Sequence, residues 1–408
     1  MAHFVFISHG STGDIIPVIR VAEAVVRDGH GATLLTSEYW RSIAESKGIS
    51  VVQIPPEGER RRQVQLMEQF SSIRNNRVLL EAMFRVVDSW QPDIIPLLRN
   101  ELSRADALVC SYLFPIYGHY AKESGIPSIS LHFCTNTYLS SGHPPAALPR
   151  LPKILPTRVR NFWNERFTQL ADRYVVKKLN RLISHSEQRL ETWLRCPTDN
   201  QIVLTPDFMH QGSPEQLPSH TIFSGFVEGG IVAEEETSDP LPISDQPLIT
   251  FGSVAHPELN RRFEELYQQW PSDQPLYIQV GWSEPPPPPG HSKIRLIPSS
   301  PHRPLFAKAS VIIHHGGAGT TTSAFLAGKP QIVVPHFADQ DFWASTVAAL
   351  SCGSKLHYRR WPRKLFQTVS ATQENVQFRE NAQRIAKQPG IGDGAKQAAA
   401  ALERWVSS

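Results

Sequence analysis

Val311-Ile312-Ile313-His314-His315-Gly316-Gly317-Ala318-Gly319-Thr320-Thr321-Thr322 decides the fold of this 408-residue chain. An apolar run ends in three glycines within four residues, and a helix starts near Thr320. Glycine lets backbone amides turn toward a common point, and the first amides of a helix have no intrahelical acceptor. A strand–loop–helix junction of this kind is an anion site. Thr320 adds a hydroxyl, and His315 a donor for a phosphate oxygen. From composition alone, a tight turn with two buried histidines reads equally well. A paired-histidine metal site fits less well, because adjacent side chains on a strand point to opposite faces.

Downstream, residues 331–334 form the next apolar strand and lead to Asp339-Gln340. A carboxylate and an amide side by side can hold the vicinal hydroxyls of a sugar. Asp339 as a helix N-cap is the competing reading. Upstream, strands are expected at 248–251 and 276–280, with a helix at 259–269. The first 135 residues show the same alternation, with strands at 4–8, 32–36, 51–54, 107–110 and 128–132. Between the first two, Val18, Val21, Ala22, Val25 and Val26 make the i, i+3, i+4, i+7, i+8 stripe of a helix over 17–27. The expectation is an α/β chain of two Rossmann-like, doubly wound domains facing each other across a cleft. Residues 1–225 form the first and 248–385 the second. The acidic, unpatterned 226–247 stretch links them, and a C-terminal helix over 386–408 packs back on the first.

Composition sets limits. Hydrophobic residues make up 40% and charged residues 19%, enough for two cores, and the net charge of +3 argues for neither nucleic acid nor a membrane on its own. Cys110, Cys134, Cys196 and Cys352 lie far apart, without metal-ligand spacing, and read as reduced core thiols. No apolar run is long enough to span a bilayer, and the first strand lacks the basic flank of a signal peptide, so a cytoplasmic location is expected. The 34 prolines disfavour a helical bundle, and half of them fall between Pro206 and Pro304. Pro285–Pro289 reads as a stiff surface spacer. Residues 150–189 hold ten Lys/Arg against three acids, mixed with Phe162, Trp163, Phe167 and Tyr174. A solvated amphipathic helix pair, a lid over a lipophilic substrate and a weak membrane-surface contact all suit that pattern.

The string from His314 to Thr321, with Ala327-Gly328, Pro330 to Pro335 and Asp339 to Ala344, resembles the family 1 glycosyltransferases of the GT-B fold. Gly10-Ser11-Thr12-Gly13-Asp14 and Pro17 extend the resemblance to the other end of the chain. It is strongest to the branch that holds sterol glucosyltransferases, antibiotic-aglycone enzymes and the rhamnolipid rhamnosyltransferase. The resemblance implies that His315, Gly317, Ala318, Gly319 and Thr320 grip a nucleotide diphosphate and that Asp339 and Gln340 hold the donor sugar. It places Ser300 and His302 at the base and ribose, and Ser253 at the phosphate; Ser11 is expected to help orient that phosphate. Plant members carry tryptophan where Ser299 stands and a ribose-binding glutamate where Ser323 stands, so base stacking is not implied here.

The resemblance also implies a catalytic base, Asp14. One group must take the acceptor hydroxyl's proton as the oxygen attacks the anomeric carbon. From the residues alone, Asp14 followed by Ile15-Ile16-Pro17 is equally a helix N-cap; His9 and His119 are alternative bases. A helix N-terminus favours the carboxylate form, so Asp14 is expected to be a weak base aided by positioning and desolvation. The expected reaction is a single inverting displacement from a UDP- or dTDP-sugar onto a lipophilic hydroxyl, with no metal and no other cofactor. Nucleic acid is not an expected partner. The competing readings are a nucleotide-sugar 2-epimerase on the same scaffold and a non-catalytic auxiliary protein.

Overall fold

The computed structural model describes residues 1–57, 60–73, 76–114, 116–135, 152, 154–182, 198–210, 217–229, 243–256, 258–290, 292–337 and 339–407. One sheet contains β1 (His3–Ile7), β2 (Gly31–Thr36), β3 (Ser50–Gln53), β4 (Ala107–Ser111), β5 (Ser128–His132), β6 (Asn200–Val203) and β7 (Thr221–Phe223). The other contains β8 (Gln246–Thr250), β9 (Leu276–Gln279), β10 (Ile294–Ile297), β11 (Ala309–His314), β12 (Gln331–Val333) and β13 (Gly353–Lys355). Their orders are β3-β2-β1-β4-β5-β6-β7 and β10-β9-β8-β11-β12-β13. The strand pairs are parallel. Each half therefore runs outward from its first strand and reverses beside it, between β1 and β4 and between β8 and β11. Loops at that reversal open onto a crevice where ligands bind in doubly wound sheets.

The helices of the first half are α1 (Thr12–Arg27), α2 (Arg41–Glu45), α3 (Arg60–Ser71), α4 (Asn76–Leu102), α5 (Tyr117–Glu123) and α6 (Thr157–Leu182). Those that follow are α7 (Leu259–Gln269), α8 (His302–Lys308), α9 (Ala318–Leu326), α10 (Gln340–Ala349), α11 (Trp361–Glu374), α12 (Val376–Ala386) and α13 (Gly394–Ser407). Strands buried on both faces explain the sequence pattern. Phe4 and Phe6 enter one core and Val5 and Ile7 another, so β1 is apolar throughout instead of alternating. The strands the sequence did not reveal, β6, β7, β10 and β13, are three or four residues long, too short to show a period.

Residues of the 226–247 stretch are packed at both ends. Phe226 stacks on Phe325 at 5.5 Å, Ile243 is buried, and Gln246 and Pro247 open β8. Residues 230–242, the Pro144-Pro145-Pro149 cluster and Cys196 lie outside the described residues. Cys110, Cys134 and Cys352 are buried thiols. Residues 157–182 form one helix, and 183–189 of the basic stretch also lie outside the described residues. The proline run is tied down as well as stiff: Pro285 is buried and the Tyr267 hydroxyl donates to the Pro286 carbonyl at 2.9 Å. Among the described residues, no helix is long and apolar enough to cross a membrane.

α13 packs against α1, and His30 in the loop after α1 lies 3.6 Å from Glu403. At the crossing between halves, the Gly225 amide donates to Thr205 while the Phe226 amide donates to Ile391. Gly225 sits at φ 90° and Gly394 packs directly on the Gly225 and Phe226 carbonyls, where a Cβ would not fit.

Candidate active site

The glycine loop divides its work. His314 Nδ1 accepts the Gly316 amide at 3.1 Å, so the proton on its other nitrogen goes to Gln331 Oε1 at 2.9 Å. That histidine is structural, and the Gly316 amide is already committed. Gly316 has φ 91°, and a Cβ there would come within 2.7 Å of Val333 Cγ1 and 2.9 Å of the Gln340 carbonyl. Only glycine fits this turn. α9 begins at Ala318 with Gly317 as N-cap, and the Thr321 amide bonds the Gly317 carbonyl. The amides of Ala318, Gly319 and Thr320 precede that first helical bond at the positive end of the helix, an arrangement suited to an anion.

His315 is buried, and burial, followed by its neighbours His314, His336 and His302, holds its pKa well below the ordinary histidine value. It is a neutral ring, so it offers hydrogen bonding without charge. Its Nδ1 is buried without a partner in the protein. His302 stacks on Phe306 at 4.4 Å, with Nδ1 3.4 Å from Ser323 Oγ, and burial drives its pKa down to about 3. Ser300 is buried, its hydroxyl donating to the Pro298 carbonyl at 3.1 Å. Its own carbonyl accepts from Gln279, whose other amide atom accepts from Thr250. Ser253 lies just past β8, half-buried beside Gly252. The loops after β8, β10 and β11 are thus fixed by their own bonds.

Ser323 has a different task from a ribose contact. Its hydroxyl donates to the Gly319 carbonyl at 2.8 Å and accepts the Gly229 amide at 3.1 Å. Thr322 donates to the Val227 carbonyl at 3.1 Å. A Cβ on Gly319 would lie 3.0 Å from Gly229 Cα, so the crossing strand of backbone lies against the start of α9.

Asp14 corrects two expectations. α1 starts at Thr12, five residues before Pro17, and Pro17 falls inside the helix. Ser11 is the N-cap, so Asp14 occupies the third helical position and the N-cap reading of Asp14 fails. The Ser11 amide donates to Asp14 Oδ2 at 2.8 Å and the Ser11 hydroxyl to the same oxygen at 3.1 Å. Ser11 therefore grips the carboxylate, which leaves its hydroxyl engaged before any phosphate arrives. Burial pushes the Asp14 pKa up to about 6 against the opposing Ser11 bonds. The expected desolvation outweighs the helix terminus.

Asp339 comes from the other half, as the N-cap residue of α10. Burial first and the Asp14 charge second raise its pKa to about 7. The Asp14 charge therefore acts on Asp339 from the other half of the chain. Gln340 is buried, and its Oε1 accepts the amides of His336 at 2.7 Å and Phe337 at 3.1 Å. Only its Nε2 remains for a ligand oxygen. His9 Nε2 is 2.7 Å from the Tyr117 hydroxyl, among Trp90 and Phe114, and burial lowers its pKa to about 4. His119 sits on α5 edge-on to Tyr120. Among the described residues, no group of three His, Cys, Asp or Glu side chains could hold a metal ion.

Sequence reasoning missed Tyr112. It directly follows β4, beside the end of β1, and its ring stacks on His132 at 5.2 Å. Burial raises its pKa well above the ordinary value, and the charges of Cys134, Asp339 and Asp14 push the same way. The available signal was an aromatic directly after an apolar strand at the point where the sheet reverses.

Comparison with known proteins places this geometry. Residues 288–392 match the family model described as the erythromycin biosynthesis protein CIII-like C-terminal domain. An uncharacterized glycosyltransferase of Mycobacterium tuberculosis, Rv1524, is 26% identical over 94% of this chain and 95% of its own. The sterol 3-beta-glucosyltransferase of Kluyveromyces lactis is 24% identical over 95% of this chain, which spans 34% of that larger protein. Among solved structures, the glycosyltransferase of kitacinnamycin superposes with a TM-score of 0.67 at 18% identity, covering 99% of both chains. SsfS6 of Streptomyces sp. SF2575, complexed with thymidine diphosphate, gives 0.64 at 16% identity, covering 99% of this chain and 100% of its own. With two doubly wound sheets, the glycine loop at the second reversal and these structural neighbours, the chain has the two-domain GT-B fold, and over nearly its whole length it is similar to glycosyltransferases of family 1.

Proposed function

We propose that this cytoplasmic protein transfers a hexose from a nucleotide-diphosphate sugar to a hydroxyl of a lipophilic small molecule, with inversion and without a metal. The observation that carries the reading is the glycine loop at the second reversal, where the Ala318, Gly319 and Thr320 amides precede the first helical bond of α9 beside the unpartnered Nδ1 of buried His315. The diphosphate sits at the amides of Ala318, Gly319 and Thr320 with His315 beside it, and Asp339 and the Gln340 amide hold the sugar. Asp14 Oδ1, the oxygen that takes neither Ser11 bond, accepts the acceptor's proton. The acceptor oxygen forms its bond to the anomeric carbon as the bond to the diphosphate oxygen breaks. The diphosphate leaves with the electron pair, stabilised by the α9 terminus. A base with a pKa of about 6 is ionised at neutral pH yet stronger than an ordinary aspartate. The thymidine diphosphate of the SsfS6 complex supports a nucleotide-diphosphate donor, and the sterol glucosyltransferase relatives support glucose and an apolar acceptor; UDP- and dTDP-sugars are the two candidates.

The test is nucleotide release from UDP-glucose and dTDP-glucose, with and without sterols, polyketide alcohols, terpenoids and hydroxy-lipids. Asp14→Asn is expected to lower transfer by about 10²- to 10⁴-fold while nucleotide affinity stays within a factor of about two. Unchanged turnover would remove Asp14 as the base. Release that needs no acceptor and yields an epimer would support the isomerase instead.

A further inference from the structure

α6 carries seven Arg/Lys against two acids, a net of +5, in a chain whose total is +3. The rest of the protein is net acidic, so the chain's net positive charge comes from this one helix. At 100° per residue, Val159, Phe162, Trp163 and Leu170 fall on one arc of the helix. They are 38%, 52%, 47% and 60% exposed. Arg166, Arg173, Lys177 and Arg181 lie within the same arc and are exposed too. Glu165 and Asp172 fall outside it. Asn164 is buried and Val175 packs on the core from the opposite side, so this is the outer face. The Arg166 guanidinium rests 5.5 Å over the Phe162 ring. Ile154, just before the helix, is 92% exposed.

A helix that only needed water on its outer side would carry polar residues there. Aromatics interleaved with cations, and no acid among them, match a surface that is apolar underneath and negatively charged on top. We propose that α6 is an interfacial helix that docks this protein on an anionic lipid surface. Phe162, Trp163 and Leu170 enter the boundary between headgroups and acyl chains, and the four cations pair with lipid phosphates. The helix is anchored for this. Tyr174 donates to Glu81 of α4 at 3.1 Å, and Lys178 pairs with the same carboxylate at 2.7 Å. α4 carries Trp90, which packs beside His9 at the end of β1. Docking through α6 sets the half that carries Asp14 against the phase in which an apolar alcohol dissolves.

The experiment is co-sedimentation of the full chain with phosphatidylcholine vesicles and with mixed phosphatidylcholine–phosphatidylglycerol vesicles, at low and high salt. Partitioning is expected to be at least about tenfold stronger on the mixed vesicles and to fall to the neutral-vesicle level at high salt. Phe162→Ser with Trp163→Ser should lose that binding, and so should Arg166→Gln with Arg173→Gln and Lys177→Gln. Donor consumption with a detergent-dispersed acceptor should stay unchanged in both variants. The charge variant replaces exposed side chains only, so it remains informative should the aromatic variant misfold. Equal partitioning on both vesicles, or vesicle binding that survives the charge variant, would overturn the proposal. So would a dimer in solution that Trp163→Ser dissociates, since a second copy would then own this face. Because no step needs nucleotide sugar, a failure here leaves the transferase reading standing, and the reverse also holds.

Discussion

Asp14 and Asp339 are ordinary acids made unusual by enclosure. Asp14 accepts two bonds from Ser11 and still rises to about 6, so desolvation decides its proton affinity. A protonated Asp14 cannot take the acceptor's proton, so kcat/KM should fall as pH drops through about 6, well above the range of a solvated aspartate. Burial keeps the Tyr112 hydroxyl neutral within electrostatic reach of both carboxylates, so its O–H dipole can favour their charged forms. Tyr112→Phe should therefore move the acid limb to higher pH, by about half a unit to one unit, where a purely structural loss would lower the plateau and leave the limb in place. A pH–rate profile of the variant decides it. Asp14 could be read from the sequence because its loop repeats a recognisable spacing. Tyr112 could not, because its importance comes from a carboxylate more than 200 residues away.

The loop between β1 and α1 shows what an element-scale reading misses. Apolar periodicity places the helix from Pro17, since Thr12, Gly13 and Asp14 contribute nothing to the stripe. The helix starts at Thr12 because Ser11 caps it through Asp14. Gly10 makes that closure: its φ is 127°, and a Cβ would collide with the Asp14 carboxylate. Gly10→Ala should cost roughly 1–3 kcal/mol of stability and displace the carboxylate, with transfer lost further than melting temperature suggests. Calorimetry and turnover measured on one preparation check both parts, and full activity would show that the carboxylate is not placed by this turn. The equivalent loop after β11 was legible because three glycines in four residues have few other uses. The tasks inside it were not. Composition could not say that His314 holds the turn, or that Ser323 and Thr322 hold the crossing backbone, because those partners lie far off in sequence.

At the scale of the molecule, six buried histidines set the response to acid. Burial lowers His9 and His314 to about 4, His132, His302 and His336 to about 3, and His315 further below its ordinary value. Their folded pKa values lie below the unfolded one, so the unfolded chain binds more protons as pH falls from about 6.5. Stability is fully present above that pH and is lost on the way down, each ring steepening the loss by up to about 1.4 kcal/mol per pH unit. Asp14 and Asp339 act in the opposite direction between about 4 and 7, because their folded values are raised. Denaturant unfolding from pH 7 to pH 4 should show a net loss, steeper than two raised carboxylates can offset, and a flat profile would contradict it. The two-domain architecture was legible from alternation alone. How the halves touch was not, because contacts such as Tyr39 against Trp282 at 6.1 Å follow no local pattern.

The crossing at Gly225 has a mechanical consequence. Gly225 is tied to the first half and Phe226, the very next residue, to the loop that precedes α13. The chain leaves the first half there and returns to it through α13, which packs on α1 beside the same spot. Two ribbons passing side by side make one seam. Gly394 leaves no room there for a Cβ against the Gly225 and Phe226 carbonyls, so a single added methyl group would part backbone from backbone and loosen both passages together.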